Sequence, residues 1–361
     1  MSLRVWIPML ALAGSTVLAF IPLWQARAGT GASASGYKVL PSIRQDNLTV
    51  FPVVAATSHD TQQFQTLDEG LRSGDVIVSE AGSVQPLIRR RWTPPAGDSA
   101  QVNRLVLVNN GKRPLILLAG EIVTGGKQDR VIGKDRLVPA ESDPIDLSVF
   151  CVEPGRWAGS SAKFGAVGGP MAQPTVRAKA MADKDQAKVW DEVRSAQASV
   201  AGSLAAPARA AVGETTSYAR VMENVEVKQR VDSVAAPIER EYRSLIQQLR
   251  DRNAVGVVVA VNGEVIWADI FGSTDLLAKY WPKLARSYAA EAIVRPAKAK
   301  NADEASAQAF VDHMDGRHQT VESEPGLYRH TEIDGDGFKA FELTSLLPKT
   351  GFNLHVAKMA E

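Results

Sequence analysis

Cys151 is the only cysteine in the 361 residues, so no disulfide can form within the chain and stability must come from core size. Histidine is scarce. His59, His313, His318, His330 and His355 contain no i,i+4 pair, and none falls near the motif-rich centre, so no zinc site can be argued. Charge of either sign is not in excess: 41 basic against 40 acidic residues gives a formal charge of +1, which excludes a general nucleic-acid binder with a basic face. Long apolar runs are absent after residue 28, so nothing later in the chain is expected to enter a membrane. No cofactor motif is present.

The one long apolar run is at the start. Arg4 supplies a positive flank, Val5 to Trp24 carries no charge, and Ala26-Arg27-Ala28 has the small-x-small form of a signal-peptidase site. Pro8 and Pro22 favour cleavage over a retained anchor. Residues 1–28 therefore read as a signal peptide and the product as periplasmic or secreted. Without Arg4 and Arg27, 39 basic residues face 40 acidic ones. Gly29 to Gly36 (GTGASASG) reads as a flexible linker, leaving 37–361 as the folded part.

A hydrophobic share of 45% is globular. Asn47 to Val53 reads as a strand, with Pro52 pointing to an edge. Thr66 and Glu69 have capping-box spacing and Gly74 supplies a stop, which predicts a helix over Leu67 to Ser73. Asp75 to Glu80 and Asp146 to Val152 read as strands. Asn103 to Val108 and Pro114 to Leu118, joined by Asn109-Asn110-Gly111-Lys112-Arg113, carry a hairpin signal. Ala158 to Ala182 and Ser203 to Gly213 read as connectors, with a helix over Asp183 to Val200 between them. Pro237 predicts a helix start, with Ile238 to Arg252 following. Val255 to Val261 and Glu264 to Ile270 form the clearest hairpin, turning at Asn262-Gly263. A helix then runs from Gly272-Ser273-Thr274 to Val294, interrupted or kinked at Pro282. Asn301 with Glu304 predicts a capped helix ending at Gly316. Three strands close the chain: Leu327 to Ile333, Phe338 to Thr344 and Asn353 to Lys358.

Strands and helices without regular alternation predict an α+β fold, with mixed or antiparallel sheets and several packed helices. The two Asn/Gly hairpin signals share a pattern that would record two similar lobes, divided between residues 158 and 214.

Chemistry concentrates in Gly120 to Trp157, GEIVTGGKQDRVIGKDRLVPAESDPIDLSVFCVEPGRW. A phosphate loop of the Walker kind fails: Glu121 stands at its first glycine and Gln128 at its hydroxyl position. A looser anion nest survives at Gly125-Gly126, with Lys127 and Arg130 adding charge, beside the plainer reading of a glycine turn with solvated cations. A cysteine phosphatase fails because Cys151 and Arg156 are five positions apart where six are needed. Leu147, Val149 and Cys151 alternate onto one strand face, so Cys151 reads as a small buried hydrophobe. Asp334-Gly335-Asp336 lacks the remaining calcium-loop positions and reads as a turn. No G-x-S-x-G elbow occurs.

What remains is Glu121 and Glu153 as candidate acid/base carboxylates, and Lys127, Gln128, Arg130, Arg156 and Trp157 as candidate ligand contacts. Glu121 follows a buried strand, where desolvation raises a carboxyl pKa toward general acid/base use. The arginines can grip a planar anion in two-pronged fashion, and Trp157 offers a stacking face. The competing reading is structural, with Glu121 and Glu153 paired to Arg156 and Arg130 to hold strands in register. Asp269 also ends a strand, and a position beside Glu121 would favour a paired-carboxylate site and the duplication.

These clusters, Gly120-Glu121, Gly126-Lys127-Gln128-Asp129-Arg130 and Cys151-Val152-Glu153-Pro154-Gly155-Arg156-Trp157, resemble the ARPP-1 family. Asn47 to Pro52, Thr66 to Leu71, Ala268 to Phe271, Tyr280 to Leu284 and Ser287-Tyr288 resemble it too. The name, ADP-ribosylglycohydrolase and rhodanese-phosphatase-superfamily-associated protein, implies ADP-ribose or related phosphorylated metabolites and carries over no catalytic residue. Two function classes follow. One is an exported protein binding, or hydrolysing, a small anionic metabolite such as ADP-ribose or a related nucleotide. The other is a non-enzymatic module whose Glu/Arg clusters are structural and whose 158–182 loop meets a protein partner.

Overall fold

Apolar runs that alternate poorly are buried on both faces, and such a run, Asn253–Val261, forms an interior strand of the largest sheet. The computed structural model describes residues 36–80, 104–156, 163–165, 171–248, 253–298 and 300–361. The expected signal peptide, nearly all of the linker, Trp157 and part of the 158–182 connector lie outside the described residues.

With elements numbered along the chain, the first sheet holds β1 (Tyr37–Val39), β2 (Ile43–Gln45), β3 (Leu48–Ala55), β13 (Asn253–Val261), β14 (Glu264–Phe271), β15 (Gly316–Glu324), β16 (Tyr328–Gly335), β17 (Phe338–Ser345) and β18 (Asn353–Ala360). The order is β1-β3-β13-β14-β18-β17-β16-β15, with β2 also on β3, and every pairing is antiparallel. Asn262 (φ 56°) and Gly263 (φ 80°) give the two left-handed residues that the β13–β14 turn requires.

Pro52 is not at an edge. β3 is paired on both sides, and the Pro52 carbonyl accepts Leu40 N–H at 2.8 Å. A residue's N and C=O point the same way in a strand, so the missing donor faces the gap between β1 and β2.

Val257, Val259 and Val261 face helices; Val258 and Ala260 face the opposite side, toward α8 (Glu304–Asp312). The helix-covered face packs on α6 (Val225–Gln248) and α7 (Thr274–Val294). α7 starts at the Ser273 cap, whose side chain accepts Leu276 N–H at 3.0 Å, and runs through Pro282 without interruption. α6 departs from expectation. Pro237 lies in its interior, because Val227, Val231, Val234, Ile238 and Tyr242 keep helical spacing across it. Their burial offsets the one hydrogen bond that proline removes. The cap of α8 is Asp303, whose side chain accepts Ser306 N–H at 2.7 Å, rather than Asn301.

A second sheet runs β12 (Phe164–Gly165), β8 (Ile122–Gly125), β9 (Arg130–Ile132), β11 (Ile145–Cys151), β6 (Arg104–Asn109), β5 (Val76–Ser79), and a third β10 (Arg136–Val138), β7 (Leu115–Leu117), β4 (Gln65–Thr66). Leu105, Leu107, Leu115, Leu117, Val138 and Val149 join both into one core. Thus β6 and β7 are not a hairpin. The Asn109 side chain accepts Gly111 N–H at 3.0 Å and donates to the Arg113 and Pro139 carbonyls at 2.8 and 2.9 Å, so the turn sends its strands into different sheets. The similarity to the Asn262-Gly263 hairpin ends there, and with it the argument for two similar lobes.

The stretches read as connectors hold α2 (Pro174–Ala178), a π-helical turn (Lys179–Asp183) and α4 (Ala206–Gly213) where described, while α3 (Gln186–Ser203) stands where a helix is expected between them and α5 (Tyr218–Glu223) follows. Val176, Val189, Val200 and Val212 share one core with Leu48, Ile122 and Val259, so both sides of 158–214 contribute to it. Together with the capped α1 (Leu67–Ser73), the protein is α+β with predominantly antiparallel sheets.

Candidate functional site

Between β7 and β8 the chain reverses at Gly120 (φ 97°), and the reason for glycine is physical. A Cβ there would stand 2.6 Å from Arg177 Cγ. Its N–H goes to the Ile132 carbonyl at 2.9 Å, and its carbonyl takes Ala172 N–H at 2.8 Å. The turn delivers Glu121 into full burial. One carboxylate oxygen accepts Leu118 N–H at 2.9 Å, and the other meets Lys283 Nζ at 3.1 Å. Lys283 is shared with Asp68 at 2.8 Å. Burial raises the Glu121 carboxyl pKa, against the opposing pull of Lys283.

Behind Gly120 lies a chain of charges with no exposed surface. Arg177 of α2 grips Asp269 of β14 through both terminal nitrogens, at 2.8 and 2.9 Å. The Tyr288 hydroxyl of α7 also donates to Asp269. His355 of β18 bridges Asp269 (3.0 Å) and Asp135 (2.5 Å), and Asp135 accepts Ala119 N–H at 2.7 Å. Burial works against the imidazolium, but the two aspartates outweigh it and lift His355 to about 9. Arg177 also stacks over Trp267, 4.5 Å from the ring centre. Two cations and two anions therefore balance. Asp269 and Glu121 have separate partners, so no paired carboxylate forms.

The sequence-named residues from Lys127 to Arg156 are brought together elsewhere. Glu153 accepts Asp129 N–H at 3.0 Å and an Arg156 N–H at 2.5 Å. Asp129 accepts Gly125 N–H at 3.0 Å and the Ser217 hydroxyl at 2.6 Å. Arg156 reaches the Gly126 carbonyl at 3.1 Å, Gln128 donates to the Glu153 carbonyl at 3.0 Å, and buried Arg130 donates to the Gln128 carbonyl at 2.7 Å. Lys127 N–H meets the Glu80 carboxylate at 3.0 Å. Glu121 belongs to neither arginine. Cys151 is buried, its neighbours Leu147 and Val149 on the same face, and desolvation raises its thiol pKa.

A cavity of about 410 Å³ opens on the other side of Lys283, within the range of small-molecule sites. α1 gives it Asp68 and Arg72, α5 gives Tyr218, Met222 and Glu223, and α6 gives Lys228 and Val231. α7 adds Lys279, Lys283 and Arg286, and Met171 also lines it. Five cations, two carboxylates and several apolar side chains thus share the lining. Lys279 pairs with Glu69 at 3.0 Å and Arg286 with Asp232 at 3.1 Å, whereas Arg72 and Lys228 have no ion pair among the described residues. None of Lys127, Gln128, Arg130, Glu153 or Arg156 lines this cavity; Glu121 reaches it through Lys283.

Sequence reasoning missed the cavity, although Lys279, Lys283 and Arg286 stand at i, i+4 and i+7, one basic face of α7. It also missed Arg177, whose helix has Pro174 in its first turn as its cue. Among the described residues no group of three or more histidine, cysteine or carboxylate side chains is arranged to hold a metal ion, and no helix is long and apolar enough to cross a membrane.

Comparison with curated proteins found no match, and comparison with solved structures found none. One family model, the ARG and Rhodanese-Phosphatase-superfamily-associated Protein domain, matches residues 36–357. That span takes in the Gly120 turn, the buried charges and the cavity, and the chain belongs to the ARPP-1 family.

Proposed function

We propose that the protein binds a small anionic metabolite of the nucleotide class, ADP-ribose being the first to test, in the cavity beside Lys283. One observation carries this reading: five basic side chains line a cavity of about 410 Å³ together with the apolar Met171, Met222 and Val231. Cations matched to phosphate and apolar surface matched to a base or sugar face are the two contacts such a ligand needs. Arg72 and Lys228 are exposed and without ion pairs among the described residues, so they meet a phosphate without first leaving a carboxylate. Calorimetric titration with ADP-ribose, ADP, NAD and a neutral nucleoside tests the reading. Binding of the phosphorylated members and not the nucleoside is expected; no binding across the panel would sink it.

The closed pairing of Glu153, Asp129 and Arg156 favours a structural task for that cluster, the holding of β8, β9 and the β11 end in register. Glu153→Gln is then expected to lower the melting temperature and leave ADP-ribose affinity unchanged. A loss of affinity with an unchanged melting temperature would return Glu153 to the binding machinery. Export with removal of residues 1–28 belongs to the same proposal. Mass spectrometry of the mature N-terminus from fractionated cells checks it, and a retained Met1 in the cytoplasmic fraction counts against it.

A further inference from the structure

We propose that an incoming phosphate takes Lys283 from Glu121 and that Glu121 picks up a proton as it does so, so that the cavity binds its anion together with one proton. This rests on the reading of the cavity as an anion site and goes on to its regulation.

Lys283 is the most enclosed of the lining cations that form ion pairs, with a side chain 11% exposed, and its ammonium is already divided between Glu121 and Asp68. A phosphate oxygen entering from the cavity places a third anionic group on one ammonium. One of the two carboxylates must then lose its claim. Asp68 lines the cavity with a side chain 20% exposed and can be taken up by water. Glu121 has no exposed surface, so an ionised Glu121 deprived of Lys283 would be a buried charge held only by Leu118 N–H. Such a charge is strongly disfavoured away from water, and neutralisation is the cheaper outcome. The proton comes from solvent. One O–H bond forms on Glu121 as one breaks on hydronium or the buffer acid, and no bond between heavy atoms changes.

Among the described residues, the groups that face Glu121 leave it no cation besides Lys283. Lys283 and Tyr280 come from α7, and the Tyr280 hydroxyl is donated to the Ile116 carbonyl at 3.2 Å. Asp68 comes from α1 and adds repulsion. Arg177 of α2 packs on neighbouring Gly120 but is committed to Asp269. Burial already holds the free-state Glu121 carboxyl pKa above its usual range, so the bound state needs only a further push in the same direction.

The sign follows. Anion affinity weakens as pH rises from the free-state toward the bound-state pKa of Glu121, by up to about tenfold per pH unit. ADP-ribose is the suitable probe, because its diphosphate is esterified at both ends and has no terminal phosphate to titrate near neutrality. Titration of the full chain in buffers of differing ionisation enthalpy, between about pH 5 and pH 8, reads the protons taken up per ligand. Wild type is expected to approach one, and Asp68→Asn to keep most of that uptake. Glu121→Gln, which keeps one acceptor oxygen for either Lys283 or Leu118 N–H and cannot titrate, is expected to bind with flat pH dependence, no uptake, and a tighter Kd than wild type at the alkaline end. Binding by wild type without proton uptake, or equal uptake by Glu121→Gln, overturns the coupling and leaves the anion site standing. Absence of ADP-ribose binding overturns both.

Discussion

Raising the pH should discharge His355 far later than an ordinary histidine. Its imidazolium sits between Asp135 at 2.5 Å and Asp269 at 3.0 Å with no exposed surface, and the two carboxylates lift it to about 9 from an ordinary 6.5. At about 1.4 kcal/mol per unit, that difference contributes on the order of 3 kcal/mol to folding. Because the folded value lies above the unfolded one, the contribution is present in full below about pH 6.5 and is lost as pH rises through about 9. Whole-protein stability blurs this signal. Lys358, whose pKa burial lowers from 10.5 to about 8, gains stability as pH rises between those values, which overlaps the upper end of the His355 window, and Cys151, raised by burial, loses it above its ordinary 9. The resonance of the ring itself is the cleaner readout. Histidine-selective NMR, with His355→Gln to assign the signal, should find His355 protonated at about pH 8 and titrating near 9. His330, also buried but shifted down by desolvation, should stay neutral well below it. A His355 midpoint at or under 6.5 would mean that the cluster does not hold two cations against two anions, and the charge balance argued for it would be wrong.

Gly120→Ala should cost more than about 2 kcal/mol in denaturant unfolding, since it combines a left-handed backbone with a Cβ 2.6 Å from Arg177 Cγ; a cost under about 0.5 kcal/mol refutes the packing argument. Arg72→Ala and Lys228→Ala should each weaken ADP-ribose binding roughly threefold to fivefold, with unchanged melting temperature and a loss that shrinks as salt is added. Equal losses at low and high salt would count against a direct charge contact. Cys151 should react with a thiol reagent only as fast as the protein opens, so labelling that outpaces global unfolding contradicts its burial on β11.

Elements declared by neighbours in the chain were legible. The Thr66/Glu69 capping box, the Asn262-Gly263 hairpin and the helix start at Gly272-Ser273-Thr274 are each decided within about four residues, and each stands where the sequence puts it. Local signals could not choose partners. Asn109 to Arg113 announces a turn, yet whether β6 and β7 pair depends on β11, β5, β10 and β4 competing for their edges. Pro237 looked like a helix start because a fragment is read without α7 lying against it. β15 has exposed side chains on nearly every position and shows no alternation to detect. The charge cluster was hidden for another reason: His355 meets Asp135 and Asp269 across 220 and 86 positions, so no spacing rule can join them. The cavity is harder still, because its cations come from three helices and one of them, Lys283, matters through a carboxylate 162 positions away.

Ala119, Gly120 and Glu121 tie the two charge systems together. Ala119 N–H is bound by Asp135, Gly120 packs against Arg177, and Glu121 holds Lys283 at the cavity wall. If this turn transmits strain, a change in the buried cluster should be felt at Glu121 although no hydrogen bond joins Asp269 to it. Asp269→Asn leaves Arg177 and His355 facing Asp135 alone, and breaking a buried pair in this way costs about 3–5 kcal/mol. In a double-mutant cycle of unfolding free energies, Asp269→Asn and Glu121→Gln should depart from additivity by about 0.5–2 kcal/mol, as coupled neighbours do. Asp269→Asn with Glu153→Gln is the control, since Glu153 belongs to the separate Asp129/Arg156 network, and that pair should add within about 0.5 kcal/mol. Additivity in both cycles would mean that the turn merely separates two independent sites. Non-additivity confined to the first would make Gly120 the mechanical link through which the protein's core sets the position of its cavity lysine.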